Sequence, residues 1–106
     1  MTAGTRTSYA DGKAMIALTG ELDMYSVKNL KEELLDFLGG HRGALSEVHV
    51  DISTLEGMDS SGIALLAHLQ KKTNEMDAKL YLHRPSRKLR KLFELGYLDA
   101  MFEIID

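Results

Sequence analysis

Apolar and polar residues alternate over short segments separated by turn residues, a pattern that predicts a succession of strands and helices. An initial hairpin is predicted over Thr5–Ala10 and Ala14–Thr19, because Asp11-Gly12 between them favours a tight turn. Nearly every residue of Ala14–Thr19 is apolar, so both faces of that strand are expected to be covered. Three further strands are predicted at Glu47–Ile52, Lys79–Leu82 and Phe102–Ile105.

Three segments carry apolar residues at helical spacing, and they are predicted to be helices over Ser26–Leu38, Ser60–Glu75 and Ser86–Leu95. Asp23 or Ser26 can cap the first helix, Gly39-Gly40 can end it, and Ser86 can cap the third. On the second helix the spacing places Ile63, Leu66 and Leu69 toward the core with Leu65 at the margin, and Ser61, Ala64, His68 and Lys71 roughly opposite.

Strands that alternate with helices imply crossover connections, and therefore an α/β fold with a mostly parallel sheet. The hairpin adds one antiparallel edge strand, and residues 1–106 are expected to form one domain. Functional sites of such sheets gather at the carboxyl ends of the strands. The segments at those ends are Gly20–Asp23, Asp51–Gly62 and His83.

Composition and charge narrow the function classes. The 106 residues include no cysteine, which excludes a disulfide framework and a thiolate metal site. Neither a signal peptide nor a membrane-spanning run is present, so a cytoplasmic monomer that does not bind membranes is expected. The net charge of −3 argues against nucleic-acid binding. Five bases without an acid within residues 84–91 are read first as a solvated helix face and second as a contact for an acidic protein.

The most informative segment is Asp59-Ser60-Ser61-Gly62, where a strand and loop lead into the second helix. Asp59, Ser60 and Ser61 can accept hydrogen bonds from the free amides of the first helical turn. The same helix end favours negative charge, so a phosphate on a serine here would face an anion site. Local chemistry alone favours plain helix capping over phosphorylation.

Four segments together resemble the STAS domains of sulfate transporters and anti-sigma factor antagonists. The Asp59-Ser60-Ser61-Gly62 segment resembles the family signature. The other three are Leu18–Asp23, Arg84–Phe93 and Leu95–Phe102, which match in order and spacing. The resemblance implies a single-domain STAS fold with amphipathic crossover helices.

The resemblance also implies a regulatory cycle without an enzymatic role or a cofactor. Ser60 lies at the position of the phosphoacceptor serine of the phosphorylatable bacterial members. An anti-sigma factor that is also a serine kinase would bind the unphosphorylated chain and thereby free its sigma factor. After phosphorylation it would release the chain and bind the sigma factor again. A PP2C-type phosphatase would reverse the modification. The expected partner-binding residues are Asp23, Asp59, Ser60, Ser61, Gly62, Ala64 and His68.

Other interpretations remain open. The chain could be a STAS subunit that does not switch, such as the accessory component of a lipid transporter, or a receiver-like domain phosphorylated on Asp51. Asp23 and Asp51 could form an acidic pair, although a helix cap and a loop anchor explain them better. No metal site is expected, because His41, His49, His68 and His83 lack metal-ligand spacing.

Overall fold

The computed structural model describes residues 3–96 and 98–106. The strands are β1 (Gly4–Ala10), β2 (Lys13–Leu22), β3 (Glu47–Met58), β4 (Lys79–His83) and β5 (Glu103–Ile105). The helices are α1 (Val27–Gly39), α2 (Ser60–Glu75) and α3 (Arg87–Leu95), and a short 3-10 helix spans Leu98–Ala100. The predicted order of strands and helices is confirmed. Within the described ranges, none of the helices is both long and apolar enough to cross a membrane.

A tight turn at Asp11 and Gly12 joins β1 to β2, as predicted. Both residues have positive φ, at 50° and 82°, which is the combination of a type I′ hairpin turn. The backbone N–H groups of Ser46 and Glu47 donate to the carbonyl of Gly12 over 2.7 and 3.1 Å. The turn is therefore anchored to the start of β3.

The five strands form one sheet in the order β1-β2-β3-β4-β5. β1 and β2 are antiparallel, and every other neighbouring pair is parallel. Each crossover adds the next strand on the same side of the previous one, so right-handed crossovers place all three helices on one face. This arrangement confirms the mostly parallel α/β sheet with an antiparallel edge strand.

The core lies between the helices and the face of the sheet that carries Ala14, Ile16 and Leu18, all of which are buried. The prediction that both faces of β2 are covered is wrong, because the helices cover only one face. Met15, on the opposite face, is 46% exposed. We call this uncovered side the open face; its side chains include Met15, Ala17, Glu47, His49, Asp51, Tyr81 and His83.

β3 continues to Met58, well past the predicted end at Ile52. The alternation of buried and exposed residues slips where Ser53 and Thr54 are both exposed, and then resumes with Leu55 buried. The pairing of β2 with β3 shifts register at the same level, as a β-bulge requires. The bulge interrupts the period-two pattern that predicts a strand. Beyond the bulge, β3 continues directly to the start of α2.

The core stripe of α2 differs slightly from the predicted one. Leu65, Leu66 and Leu69 are fully buried, whereas Ile63 is only half-buried. The stripe is completed by Gly62 and Thr73. The true core face is therefore rotated toward Leu65, and it leaves the opposite face of the helix free.

Candidate functional site

The start of α2 is organised by Asp59, which lies just before the first helical residue. Its Oδ1 accepts hydrogen bonds from the backbone N–H groups of Ser61 at 2.8 Å and Gly62 at 3.3 Å. Its own N–H donates to the carbonyl of Leu22 at 3.0 Å. The last residue of β2 is thereby fastened to the first turn of α2, and the predicted capping role of Asp59 is confirmed.

Ser60 is the first residue of α2, and it is exposed. The predicted anion site beside it is already taken, because the Asp59 carboxylate accepts the N–H groups of Ser61 and Gly62. The next N–H, that of Ile63, donates to the Asp59 carbonyl at 3.2 Å. A phosphate on Ser60 would therefore lie beside a carboxylate and project toward solvent or a partner.

Gly62 is buried where α2 approaches the ends of β2 and β3. A methyl group at this position would lie 2.7 Å from Cβ of Leu22 and 2.8 Å from Cβ of Met58. Real Cβ atoms do not approach this closely, so only glycine allows the observed packing. Gly62 thus positions the serine-bearing turn from the inside and has no side chain to offer to a partner.

The outer face of α2 carries an exposed stripe of Ser60, Ala64 and His68, which are spaced four residues apart. Residues at this spacing lie above one another on one helix face. Ser61 lies beside the stripe and is half-buried. The structure therefore brings Ser60, Ala64 and His68 into one surface that ends at the candidate phosphoacceptor.

Asp23 closes the loop between β2 and α1. Its Oδ1 accepts the N–H groups of Tyr25 and Ser26, each at 3.0 Å, and the hydroxyl of Ser26 at 3.2 Å. The hydrogen bond from the Ser26 backbone is the main reason that the pKa of Asp23 lies below its ordinary value. The predicted side-chain cap of α1 by Asp23 or Ser26 is wrong: Ser26 is the N-cap residue and makes no side-chain cap hydrogen bond, and Asp23 binds residues that precede the helix. Asp23 instead holds the loop, in which Met24 and Tyr25 are 65% and 84% exposed.

Asp23 and Asp59 share the rim of an open cavity of about 290 Å³. Glu21, Met58 and Lys88 of α3 also line it. Lys88 Nζ lies 3.4 Å from the carbonyl oxygen of Glu56, which places a base of α3 at an otherwise acidic rim. The sequence gives no local signal for this placement, because it depends on how α3 packs against the end of β3.

Asp51 lies away from this cavity. It is in the body of β3 on the open face, where Oδ2 lies 2.7 Å from the guanidinium of Arg84 and Oδ1 accepts the N–H of Ser53 at 2.9 Å. Burial raises the pKa of Asp51, but these hydrogen bonds outweigh it and hold the pKa below its ordinary value. The prediction that Asp51 anchors a loop is wrong, because Asp51 lies within β3, where it pairs with Ala17 of β2, and the strand runs on for seven more residues to Met58. The less favoured acidic pair with Asp23 is not formed either, since Asp51 is not at the end of the strand.

The protein is a two-layer α/β domain. It carries an exposed serine, Ser60, at the junction between β3 and α2, next to the Asp59 cap. Residues 5–105 match the family model described as "Mlab, STAS domain". The chain therefore belongs to the STAS family, as its motifs indicate. A receiver-like domain phosphorylated on Asp51 is excluded by this assignment.

A curated relative and two solved structures show what the chain resembles. The anti-sigma-B factor antagonist of Staphylococcus epidermidis is 32% identical over 87 residues, which cover 81% of this chain and 78% of that protein. The anti-sigma factor antagonist SpoIIAA in its unphosphorylated form is 23% identical with a TM-score of 0.73, covering 97% of this chain and 88% of that one. Bacillus SpoIIAA in its phosphorylated form is 22% identical with a TM-score of 0.71, covering 95% and 90%. The two structures establish a shared fold.

Proposed function

We propose that this protein is an anti-sigma factor antagonist whose binding is switched by phosphorylation of Ser60. The unphosphorylated chain binds an anti-sigma factor that is also a serine kinase, and thereby frees a sigma factor. The kinase phosphorylates Ser60 and the complex separates. A PP2C-type phosphatase restores the binding form.

One observation carries the proposal. Ser60 is exposed at the first turn of α2, at one end of a stripe whose other members, Ala64 and His68, offer a small and a polar side chain. The Asp59 cap and the Gly62 contact hold this turn in place. A kinase can therefore reach the hydroxyl without unfolding the domain, and a partner can cover it.

The relatives support the same reading. The Staphylococcus epidermidis protein is named an anti-sigma-B factor antagonist. SpoIIAA, which shares the fold, has been solved in both an unphosphorylated and a phosphorylated form. These names favour a regulatory binding module over an enzyme.

A second candidate is a STAS subunit that is never phosphorylated. The matching family model is described as "Mlab, STAS domain", which does not mention anti-sigma factor antagonists, and this favours the second candidate. Such a subunit would bind its partner constitutively through a STAS surface. Phosphorylation by a cognate kinase separates the two candidates.

The test is incubation of the chain with ATP and the candidate anti-sigma factor/serine kinase of the same organism, followed by mass spectrometry. We expect one phosphate on Ser60, lost in Ser60→Ala and retained in the matched control Ser61→Ala. Phosphate mainly on Ser61 or Ser53 would overturn the assignment of the acceptor. No phosphorylation by a kinase that binds the chain would favour the second candidate.

A further inference from the structure

The open face carries a chain of three hydrogen-bonded side chains that the candidate site does not use. Nε2 of His83 on β4 lies 2.6 Å from Nδ1 of His49 on β3. The other ring nitrogen of His49 lies 2.7 Å from Oε1 of Glu47. Tyr81 stacks on the His49 ring, with centroids 5.0 Å apart and planes 13° apart. The two imidazoles are therefore held in place by their neighbours on two strands.

The two histidine rings meet end to end. Their centroids are 4.9 Å apart, nearly twice the 2.6 Å between the facing nitrogens, so each facing nitrogen points at the other ring. A contact of this kind needs one proton between the nitrogens, because two lone pairs repel each other and two N–H groups collide. Glu47 accepts a hydrogen bond from the other ring nitrogen of His49. Nδ1 of the neutral His49 ring is therefore the acceptor of the hydrogen bond from His83.

We propose that Glu47, His49 and His83 form a proton-dependent clasp that joins β3 to β4 at neutral pH and opens when both imidazoles are protonated. In the neutral pair Nε2 of His83 carries the shared proton and Nδ1 of His49 accepts it, which satisfies the clasp. When both imidazoles are charged, every ring nitrogen carries a proton, and two N–H groups and two positive charges lie face to face at 2.6 Å. The hydrogen bond between the strands must then break.

The charges around the clasp set the direction of its response. Burial lowers the pKa of His83, and His49 and Arg84 lower it further, against the opposing effect of Asp51. The charged and titratable groups that face the clasp are Lys13 of β2, Glu47 and Asp51 of β3, Lys79 and Tyr81 of β4, Arg84 after β4, and Glu103 of β5. Arg6 of β1 lies one strand farther out.

The sign of the pH dependence follows from linkage. Because the pKa of His83 is lower in the folded protein than its ordinary 6.5, its contribution to stability is complete above pH 6.5 and is lost as the pH falls below it. The pKa of Glu47 lies below its ordinary 4.5 because of its hydrogen bond with His49, so its contribution is lost only at more acid pH. The interval from pH 7.5 to 5.5 therefore isolates the histidines.

The test is urea unfolding of the full chain at pH 7.5 and 5.5. A histidine that stays neutral when folded lowers the folding equilibrium constant by up to about tenfold over this interval. We expect His83→Gln to lose most of that decrease, since glutamine can donate to or accept from His49 without titrating. The matched control His68→Gln, at an exposed site on α2, should keep it.

Imidazole NMR of the wild-type chain gives a readout that does not depend on any variant folding. We expect the His83 ring to protonate with a pKa below its ordinary 6.5, and the signal of the proton that it shares with His49 to be lost when the clasp opens. An ordinary pKa for His83, with no proton signal shared between the two rings, would overturn the clasp. So would an unchanged pH dependence of unfolding in His83→Gln.

Discussion

The carboxylate of Asp59 accepts the backbone N–H of Ser61 at 2.8 Å, so a negative charge already occupies the anion-binding end of α2. A phosphate on Ser60 adds a charge of about −1.5 to −2 next to it. The helix end attracts that charge by about 0.3–1 kcal/mol, and Asp59 repels it by a similar amount in high dielectric. The two effects oppose each other within the domain.

We therefore predict that phosphorylation changes the surface and leaves the fold intact. The free energy of unfolding should change by no more than about 1 kcal/mol. Backbone amide NMR of both forms checks this: shifts should be confined to the start of α2 and the adjacent loops. Shifts spread through β2 and β3 would show a conformational switch instead.

Gly62 offers a test of how the serine-bearing turn is positioned. Gly62→Ala would force a methyl group to within 2.9 Å of the Leu22 carbonyl oxygen and even closer to two Cβ atoms. We expect a loss of about 1–3 kcal/mol in the free energy of unfolding, as is usual for overpacking. The matched control is Gly39→Ala, where no atom beyond the chain neighbours and the adjacent backbone of α1 lies within 4 Å of the added methyl. Equal effects of the two substitutions in urea unfolding would contradict the close-packing account.

The outer face of α2 is predicted to be the docking surface. Ala64→Arg should weaken partner binding by more than tenfold, at least about 1.4 kcal/mol, because it places a long charged side chain between Ser60 and His68. The fold should survive, since Ala64 is exposed. Ala10→Arg, the same change at an exposed position on β1, serves as the control. Calorimetric titration against the kinase measures both, and unchanged affinity in Ala64→Arg would place the interface elsewhere.

The sequence predicted the regular elements well because local signals specify them. The Asp11-Gly12 turn and the Ser86 cap are formed by short-range chemistry and appear as expected. The second half of β3 could not be predicted, because the bulge near Ser53 breaks the alternation on which strand prediction depends. The open face could not be predicted either, because it depends on the side of the sheet on which the crossover helices pack.

The candidate site also combines features that the sequence predicts with features that it does not. The cap at Asp59 and the position of Ser60 follow from local motif chemistry. The burial of Gly62 and the arrival of Lys88 near the site depend on contacts between distant segments. The pairing of His49 with His83 is of this second kind, because 34 residues separate them in the chain. Two residues so far apart in the chain leave no spacing pattern within one segment.

The most direct test of the switch is the affinity of the anti-sigma factor/serine kinase for the chain with and without phosphate on Ser60. At a docked interface a doubly charged group must lose its water against a surface shaped for a hydroxyl, which costs several kcal/mol. Calorimetric titration should show binding weaker by about two orders of magnitude or more for the phosphorylated form, with Ser60→Asp also weakened and Ser60→Ala bound like the unmodified chain. Equal affinity of the phosphorylated and unphosphorylated forms would contradict the account.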